Sequence, residues 1–376
     1  MARPISQWFP NEVLTQIVQA ASKKADTAAF CQVSKLFYGL SVPILYHSVY
    51  LKTDTNGASD CITQFCDSIA YNPSLAPLVR FVRLDMFPNR LQTDSVLESF
   101  KLLTCLEALS MKLWLKTEIE LKKFREWAFP RLAKCHLGLI VDMEPGTAPA
   151  LSSFLSGHPS VTSFWFWSAT RLVVKEPFFI SLPNLQHFRG LASLTPALMA
   201  GHLRGARLDW GKEDDDSDVE KTIVALKQLT SGGTPFICAN DACDDQFAKI
   251  LRSLSKNIPY ITTLEMRVFG IDNSGEPQRS RDKLVAHVKK YLPHFMCLAF
   301  ISIEIECPTW SNRFSQKEAE RATADFDKLC PTLEACSFTD FAFKKCNGSW
   351  EEFPYMHFYE FSGMNTQACM HPFLIF

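Results

Sequence analysis

Two tryptophans and two arginines stand at matching points of short apolar runs: Trp165 and Trp167 in Phe164-Trp165-Phe166-Trp167, Arg189 in Phe188-Arg189-Gly190, and Arg207 in Ala206-Arg207-Leu208. Side chains alternate along a strand, so if the flanking apolar residues turn inward these four turn to the opposite face. Tryptophan and arginine are enriched at protein-binding hot spots because each joins a broad flat surface to hydrogen-bond donors. The four therefore form the candidate patch for recognising a partner, a chemistry of binding rather than of bond breaking. In the competing reading, the loop after each strand folds over the tryptophans.

Other chemistries find little footing. There is no glycine-rich phosphate loop, no Gly-x-Ser-x-Gly elbow and no dinucleotide fingerprint, so an enzyme is not expected, and neither is a cofactor. Cys61 and Cys66, or Cys238 and Cys243, lack the second pair or the histidines that zinc requires, and no metal site is expected. Cys135 and Cys336 read as core volume. Glu213-Asp214-Asp215-Asp216-Ser217-Asp218 lacks the glycine and the distant glutamate of a calcium loop and reads as a solvated turn.

The elements that must position the patch repeat along the chain. An apolar residue, two others, an apolar residue, one other and an apolar residue recur as Val79/Val82/Leu84, Leu106/Leu109/Met111, Leu132/Cys135/Leu137, Val161/Phe164/Phe166 and Leu185/Phe188/Gly190. Further copies are Leu203/Ala206/Leu208, Ile261/Leu264/Met266, Phe295/Leu298/Phe300 and Leu333/Cys336/Phe338, with Phe236 marking an eroded one. The first five step by 27, 26, 29 and 24 residues, inside the leucine-rich-repeat range. Each triplet predicts a short strand, and the stretches Asp94–Leu106 and Thr117–Phe129 predict helices behind it. One such unit cannot bury its apolar face alone, so neighbours must stack. The expected fold class is α/β: an irregular leucine-rich-repeat solenoid over 52–376, with Phe373–Phe376 packed into a C-terminal cap.

On that register the open face carries Arg83, Ser110, His136, Trp165, Arg189, Arg207, Glu265, Ala299 and Ser337 between the second and third apolar positions. Asp85, Lys112, Gly138, Trp167, Leu191, Asp209, Arg267, Ile301 and Thr339 follow the triplets. Positive charge outnumbers negative in this set, which points to an acidic or phosphorylated target.

Composition agrees with a folded, non-secreted chain. It is 47% hydrophobic and 21% charged with 15 glycines, against long disordered tracts. The net charge of −1 gives no overall reason to expect nucleic acid or an acidic membrane as partner. Gln7, Trp8 and Pro10 interrupt what a signal peptide would need, and Ser302 and Glu304 interrupt the apolar stretch 295–305. The 13 cysteines, odd in number and without repeated spacing, fit reduced thiols. A cytoplasmic or nuclear location is expected, and the Asn347-Gly348-Ser349 sequon reads as a turn.

The first fifty residues have a different texture. After Phe9-Pro10, Asn11 is placed to cap a helix with a stripe of Val13, Leu14, Ile17, Val18 and Ala21. A second helix is expected from near Asp26, burying Ala29, Phe30, Val33, Leu36 and Phe37, and a third short apolar segment surrounds Pro43, Ile44 and Leu45. So few residues bury little by themselves, and part of their surface needs a cover.

The run Phe9-Pro10-Asn11-Glu12-Val13-Leu14, then Ile17-Val18, then Phe30-Cys31-Gln32-Val33-Ser34-Lys35-Leu36-Phe37 resembles the F-box, whose Leu-Pro-x-Glu-hydrophobic-Leu start precedes a Val-Ser-Lys/Arg-x-Phe/Trp signature. Phe9 departs from the usual leucine. Val42 to Leu51 is similar to the segment that follows the F-box in many fungal members. The resemblance implies a three-helix F-box over 5–51 that binds a Skp-family adaptor and, through it, a cullin–RING ubiquitin ligase. Phe9, Pro10, Val13, Leu14, Ile17 and Val33 are then the adaptor-binding candidates, and the remainder of the chain selects a target protein. A repeat scaffold with no part in ubiquitin transfer is the alternative, its N-terminal helices serving only as a cap.

Overall fold

The computed structural model describes residues 9–21, 23–52, 60–85, 93–113, 118–139, 147–168, 178–211, 214, 216–230, 234–269, 277–306 and 314–364. It is a mixed α/β chain whose strands are mostly parallel, divided into two compact units at residues 141 and 142. The N-terminal helices, expected as a module over 5–51, lie within the first of these units.

That unit opens with α1 (Asn11–Gln19), α2 (Lys24–Phe30) and α3 (Lys35–His47). Pro10, not Asn11, occupies the N-cap of α1, where a missing N–H costs nothing. Ser34 caps α3 by accepting from the Phe37 backbone N–H at 3.3 Å, so the Val-Ser dipeptide marks a helix start and not the middle of a longer α2. This is why Val33, expected on a buried helical face, lies instead in the turn between helices. Pro43, Ile44 and Leu45 belong to α3 itself.

The chain continues as β1 (Ser48–Lys52), α4 (Asp60–Tyr71), β2 (Phe81–Asp85), α5 (Thr93–Phe100), β3 (Ala108–Leu113), α6 (Glu118–Arg125) and β4 (Lys134–Leu139). Each strand lies parallel beside its predecessor. Val49, Val82, Leu109 and Cys135 form one buried row and Leu51, Leu84, Met111 and Leu137 the next. The intervening helices pack side by side. An all-parallel ladder is expected here, since a helix links each strand to the next.

The second unit contains α7 (Thr147–Ser156), β5 (Ser163–Ser168), β6 (Ile180–Ser181), β7 (His187–Leu191), β8 (Leu198–Met199), β9 (Gly205–Asp209), α8 (Asp216–Leu229), β10 (Phe236–Cys243) and α9 (Asp244–Asn257). It continues through β11 (Ile261–Phe269), α10 (Pro277–Tyr291), β12 (Phe300–Glu306), α11 (Gln316–Leu329), β13 (Ala335–Phe338), β14 (Phe341–Cys346), β15 (Ser349–Phe353) and α12 (Tyr355–Phe361). Strands β5, β7 and β9 to β13 pair in parallel in that order, and β14 and β15 extend the edge antiparallel. Asn347 and Gly348, with φ of 51° and 85°, make the two-residue turn between β14 and β15 where the sequon stood. The short β6 and β8 pair with each other.

The predicted triplets fall on β2 to β5, β7, β9, β11 and β13. Strand β10 fills the gap before Ile261, as Phe236 indicated. One triplet is displaced: Leu298, just before β12, and Ile301 and Ile303 on it are the buried set, with Ile301 opposite Leu264 and Ile303 opposite Met266. The reading Phe295/Leu298/Phe300 put the strand three residues early, which exchanges its two faces. Ser302 and Glu304, not Ala299 and Ile301, therefore occupy the polar face of β12. Helices near the expected Asp94–Leu106 and Thr117–Phe129 are present as the shorter α5 and α6. The tail Phe373–Phe376 lies outside the described residues.

Candidate functional site

Two surfaces carry the sequence-predicted residues, one in each unit. In the helical module Leu14 is 1% exposed and packs with Val18 and Phe37, backed by Phe30, Leu36, Leu40 and Ile44. Phe30 and Phe37 stack with centroids 5.5 Å apart. Filling such positions contributes about 1.5–3 kcal/mol each before chain entropy is set against it. Leu14 is thus part of what holds α1 on α3. Phe9, Val13, Ile17 and Val33, the last at 62% exposure, lie open together with Pro10 and Tyr38. A cleft of about 490 Å³ on the same module is lined by Thr15, Gln19, Leu40, Pro43, Ile44 and His47. One stripe of α1 therefore serves two ends: positions 14 and 18 face inward, positions 13 and 17 outward.

In the second unit the polar sheet face is built from two register rows. The first runs Trp165, Arg189, Arg207, Ala239, Glu265, Ser302 and Ser337 across adjacent strands. The second runs Leu191, Asp209, Asp241, Arg267 and Glu304. The Arg189 guanidinium lies 4.2 Å from the Trp165 ring centroid, a cation–π contact. Trp167, two residues along β5, is 39% exposed. These three candidates form one partly open patch.

Arg207 differs. It was expected on the open face, but it is 2% exposed and enclosed by ion pairs. Its Nε and Nη2 donate to the two carboxylate oxygens of Asp241 at 2.9 and 2.8 Å, and Nη2 also donates to Glu265 Oε1 at 3.1 Å. Arg267 Nε donates to Glu304 at 2.8 Å, and its Nη2 to Glu265 Oε1 at 3.4 Å. The Tyr355 hydroxyl, from α12, donates to Glu304 Oε1 at 2.6 Å. Arg207 organises the face from beneath and offers little surface to a partner.

Charges this close and this dry shift one another. Burial, with the charge of Asp241 added, pushes the Asp209 carboxyl up to about 7, and it shares a hydrogen bond with Asp241. Burial resists ionisation of Asp241, but Arg207 more than offsets it and holds that carboxyl below its ordinary value. Glu265, fully buried, is pushed up to about 7 by burial against the opposing pull of Arg207. Burial opposes the charge of Arg207, yet Glu265 and Asp241 hold it firmly protonated.

Asp241, Glu304 and Tyr355 were not singled out in the sequence. The alternation Ile301-Ser302-Ile303-Glu304-Ile305-Glu306 is the signal that could have found Glu304, since it marks a strand with one polar face. With these groups included, the expectation of a net positive face no longer holds: carboxylates and arginines interleave. The first unit has a smaller counterpart, where Arg83 lies 5.0 Å from the Tyr50 ring centroid, the Tyr50 hydroxyl donates to Asp85 at 3.1 Å, and Ser110 meets His136 at 2.9 Å.

Among the described residues no group of three or more His, Cys, Asp or Glu side chains is arranged to hold a metal ion, and no helix is long and apolar enough to cross a membrane. No family model matches the chain, and no curated protein matches it.

Proposed function

We propose that the chain is a substrate-recognition subunit of a cullin–RING ubiquitin ligase. Its N-terminal F-box docks a Skp-family adaptor, and a degenerate leucine-rich-repeat solenoid captures the target protein. The observation that carries the reading is the division of labour in the helical module: Leu14 and Val18 of α1 close an internal core while Val13 and Ile17 of α1, with Phe9 before it and Val33 in the turn before α3, stay uncovered, in the stretch whose sequence resembles the F-box. Exposed apolar side chains on a short helical module suit a helix-face contact with another protein. The strand-by-strand parallel stacking, with triplets on successive strands, supports the solenoid part of the reading. No catalysis is assigned to this chain, since ubiquitin transfer belongs to the assembled ligase.

Target capture is assigned to Trp165, Trp167 and Arg189, with Arg207 supporting them from below. Pull-down with a recombinant Skp-family adaptor tests the docking half. Wild type should bind, Val33→Asp and Ile17→Asp should not, and their circular dichroism should match wild type. Failure of the wild type to bind would favour an interaction scaffold outside ubiquitination. Proximity labelling followed by adaptor-dependent turnover identifies the target. Trp165→Ala combined with Arg189→Ala should then weaken its capture and leave adaptor binding intact.

A further inference from the structure

The polar face of the second unit holds a buried acceptor that its surroundings leave unmet. Arg207 and Arg267 both reach Glu265 through Oε1. Glu265 Oε2, fully buried, has no hydrogen-bond partner among the described residues, and neither do the hydroxyls of Ser302 and Ser337, which follow Glu265 in register on β12 and β13. Buried polar atoms left unmatched are rare because their lost hydration is not returned.

What lies over the β12 and β13 part of the strip is α12. Tyr355 bonds Glu304 two residues to one side of Ser302, and the Phe361 ring meets Phe300, two residues to the other side, edge-on at 5.5 Å. Phe358 is buried against Ala335 and Ala342, and Ala342 is the neighbour of Ser337 across the β13–β14 pair. The helix therefore crosses Ser302 and Ser337 with aromatic rings, and the hydroxyls it carries, Tyr355 and Tyr359, bond Glu304 and each other rather than the strip. It is only 7 residues long, and Met356 and Phe361 on it remain exposed.

We propose that α12 is a releasable strap over a second part of the target-binding face, and that the strip Glu265–Ser302–Ser337 takes a lysine- or arginine-bearing segment of the target once α12 lifts. This rests on the reading of that face as the site of target capture. The ligand chemistry follows from two features. Glu265 Oε2 needs a donor, and the face sets four carboxyl groups (Asp209, Asp241, Glu265, Glu304) against three arginines (Arg189, Arg207, Arg267). A cation supplies the donor and balances the charge, whereas an acidic or phosphorylated segment would meet carboxylates.

The test uses the full chain and a fluorescein-labelled peptide of alternating lysine and alanine, with a glutamate–alanine peptide as control. Phe358→Ala should speed hydrogen exchange in 355–361 and tighten lysine-peptide binding by on the order of ten- to a hundredfold, the range for one charge-assisted hydrogen bond. Adding Glu265→Gln, whose amide brings its own N–H, should abolish the gain. Tyr355→Phe serves as a second opening variant should Phe358→Ala not fold. No gain despite faster exchange, a gain that survives Glu265→Gln, or equal gain for the glutamate peptide would each overturn the proposal. So would a lowered thermal midpoint in Ser302→Ala plus Ser337→Ala, since hydroxyls without partners stabilise nothing. Adaptor pull-down of the same variants separates the two readings: wild-type failure there with success here sinks the ligase assignment alone.

Discussion

The guanidinium of Arg207 meets the carboxylate of Asp241 through two parallel hydrogen bonds, Nε to Oδ2 at 2.9 Å and Nη2 to Oδ1 at 2.8 Å, in a setting where Arg207 is almost fully enclosed. Breaking a buried pair from one side leaves the other charge dry and uncompensated, which costs about 3–5 kcal/mol. Arg207→Ala should therefore lower the urea midpoint strongly. Arg189→Ala, which removes a half-buried contact with Trp165, should cost about 0.5–2 kcal/mol. Equal effects in chemical denaturation would mean that Arg207 does not hold this face together.

The Asp209 carboxyl gives the face a pH signature. Its folded value is raised to about 7 by burial first and by Asp241 second, above its ordinary value of 3.8. Between those values the native state holds a proton that the unfolded chain has released, so this group's contribution to stability falls as pH rises from about 4 to 7 and stays low above that. Asp209→Asn keeps the hydrogen bond without the charge. The variant should gain thermal midpoint relative to wild type at pH 8 and lose that advantage at pH 5. A difference independent of pH would show that Asp209 is ionised in the folded state.

Much of this architecture was legible because parallel strands linked by helices bury one face at fixed positions, and the triplets register that burial directly. The polar face was harder to read. At β12 the apolar residues Phe295, Leu298, Phe300, Ile301 and Ile303 fit more than one frame, and the wrong frame moved Ser302 and Glu304 out of view. Arg207 was placed on the correct face but with the wrong exposure, because alternation along a strand says which way a side chain points and not what lies on top of it. Ion pairing with β10 and β11 and the crossing of α12 are contacts between distant segments, and no local spacing encodes them. In the helical module the same limit applied: a single stripe named Leu14 and Ile17 together, though one is core and the other surface.

Gly190 occupies the third position of its triplet for a steric reason. A Cβ there would lie 2.7 Å from the backbone carbonyl oxygen of Phe166 on the neighbouring strand. Backbone atoms in a paired strand have little room to retreat, so Gly190→Ala should destabilise the second unit by about 1–3 kcal/mol through overpacking. It should also shift Trp165 and Trp167, which flank Phe166, and change tryptophan fluorescence. A variant as stable as wild type with an unchanged emission spectrum would contradict the close approach of β5 and β7.

The exposed and buried halves of the α1 stripe make the docking proposal testable without confusing binding with folding. Leu14→Asp places a charge in the core formed with Val18 and Phe37, where an unpaired carboxylate is costly. It should unfold the helical module, and lost adaptor binding in that variant would say nothing about contact. Val33→Asp changes a side chain that is 62% exposed and should leave the unfolding free energy within about 0.5 kcal/mol of wild type, as surface changes do. If the adaptor sits on this surface, Val33→Asp abolishes capture while limited proteolysis of residues 9–47 is unchanged. Retained capture by Val33→Asp and Ile17→Asp alike would place the adaptor elsewhere or nowhere on the module.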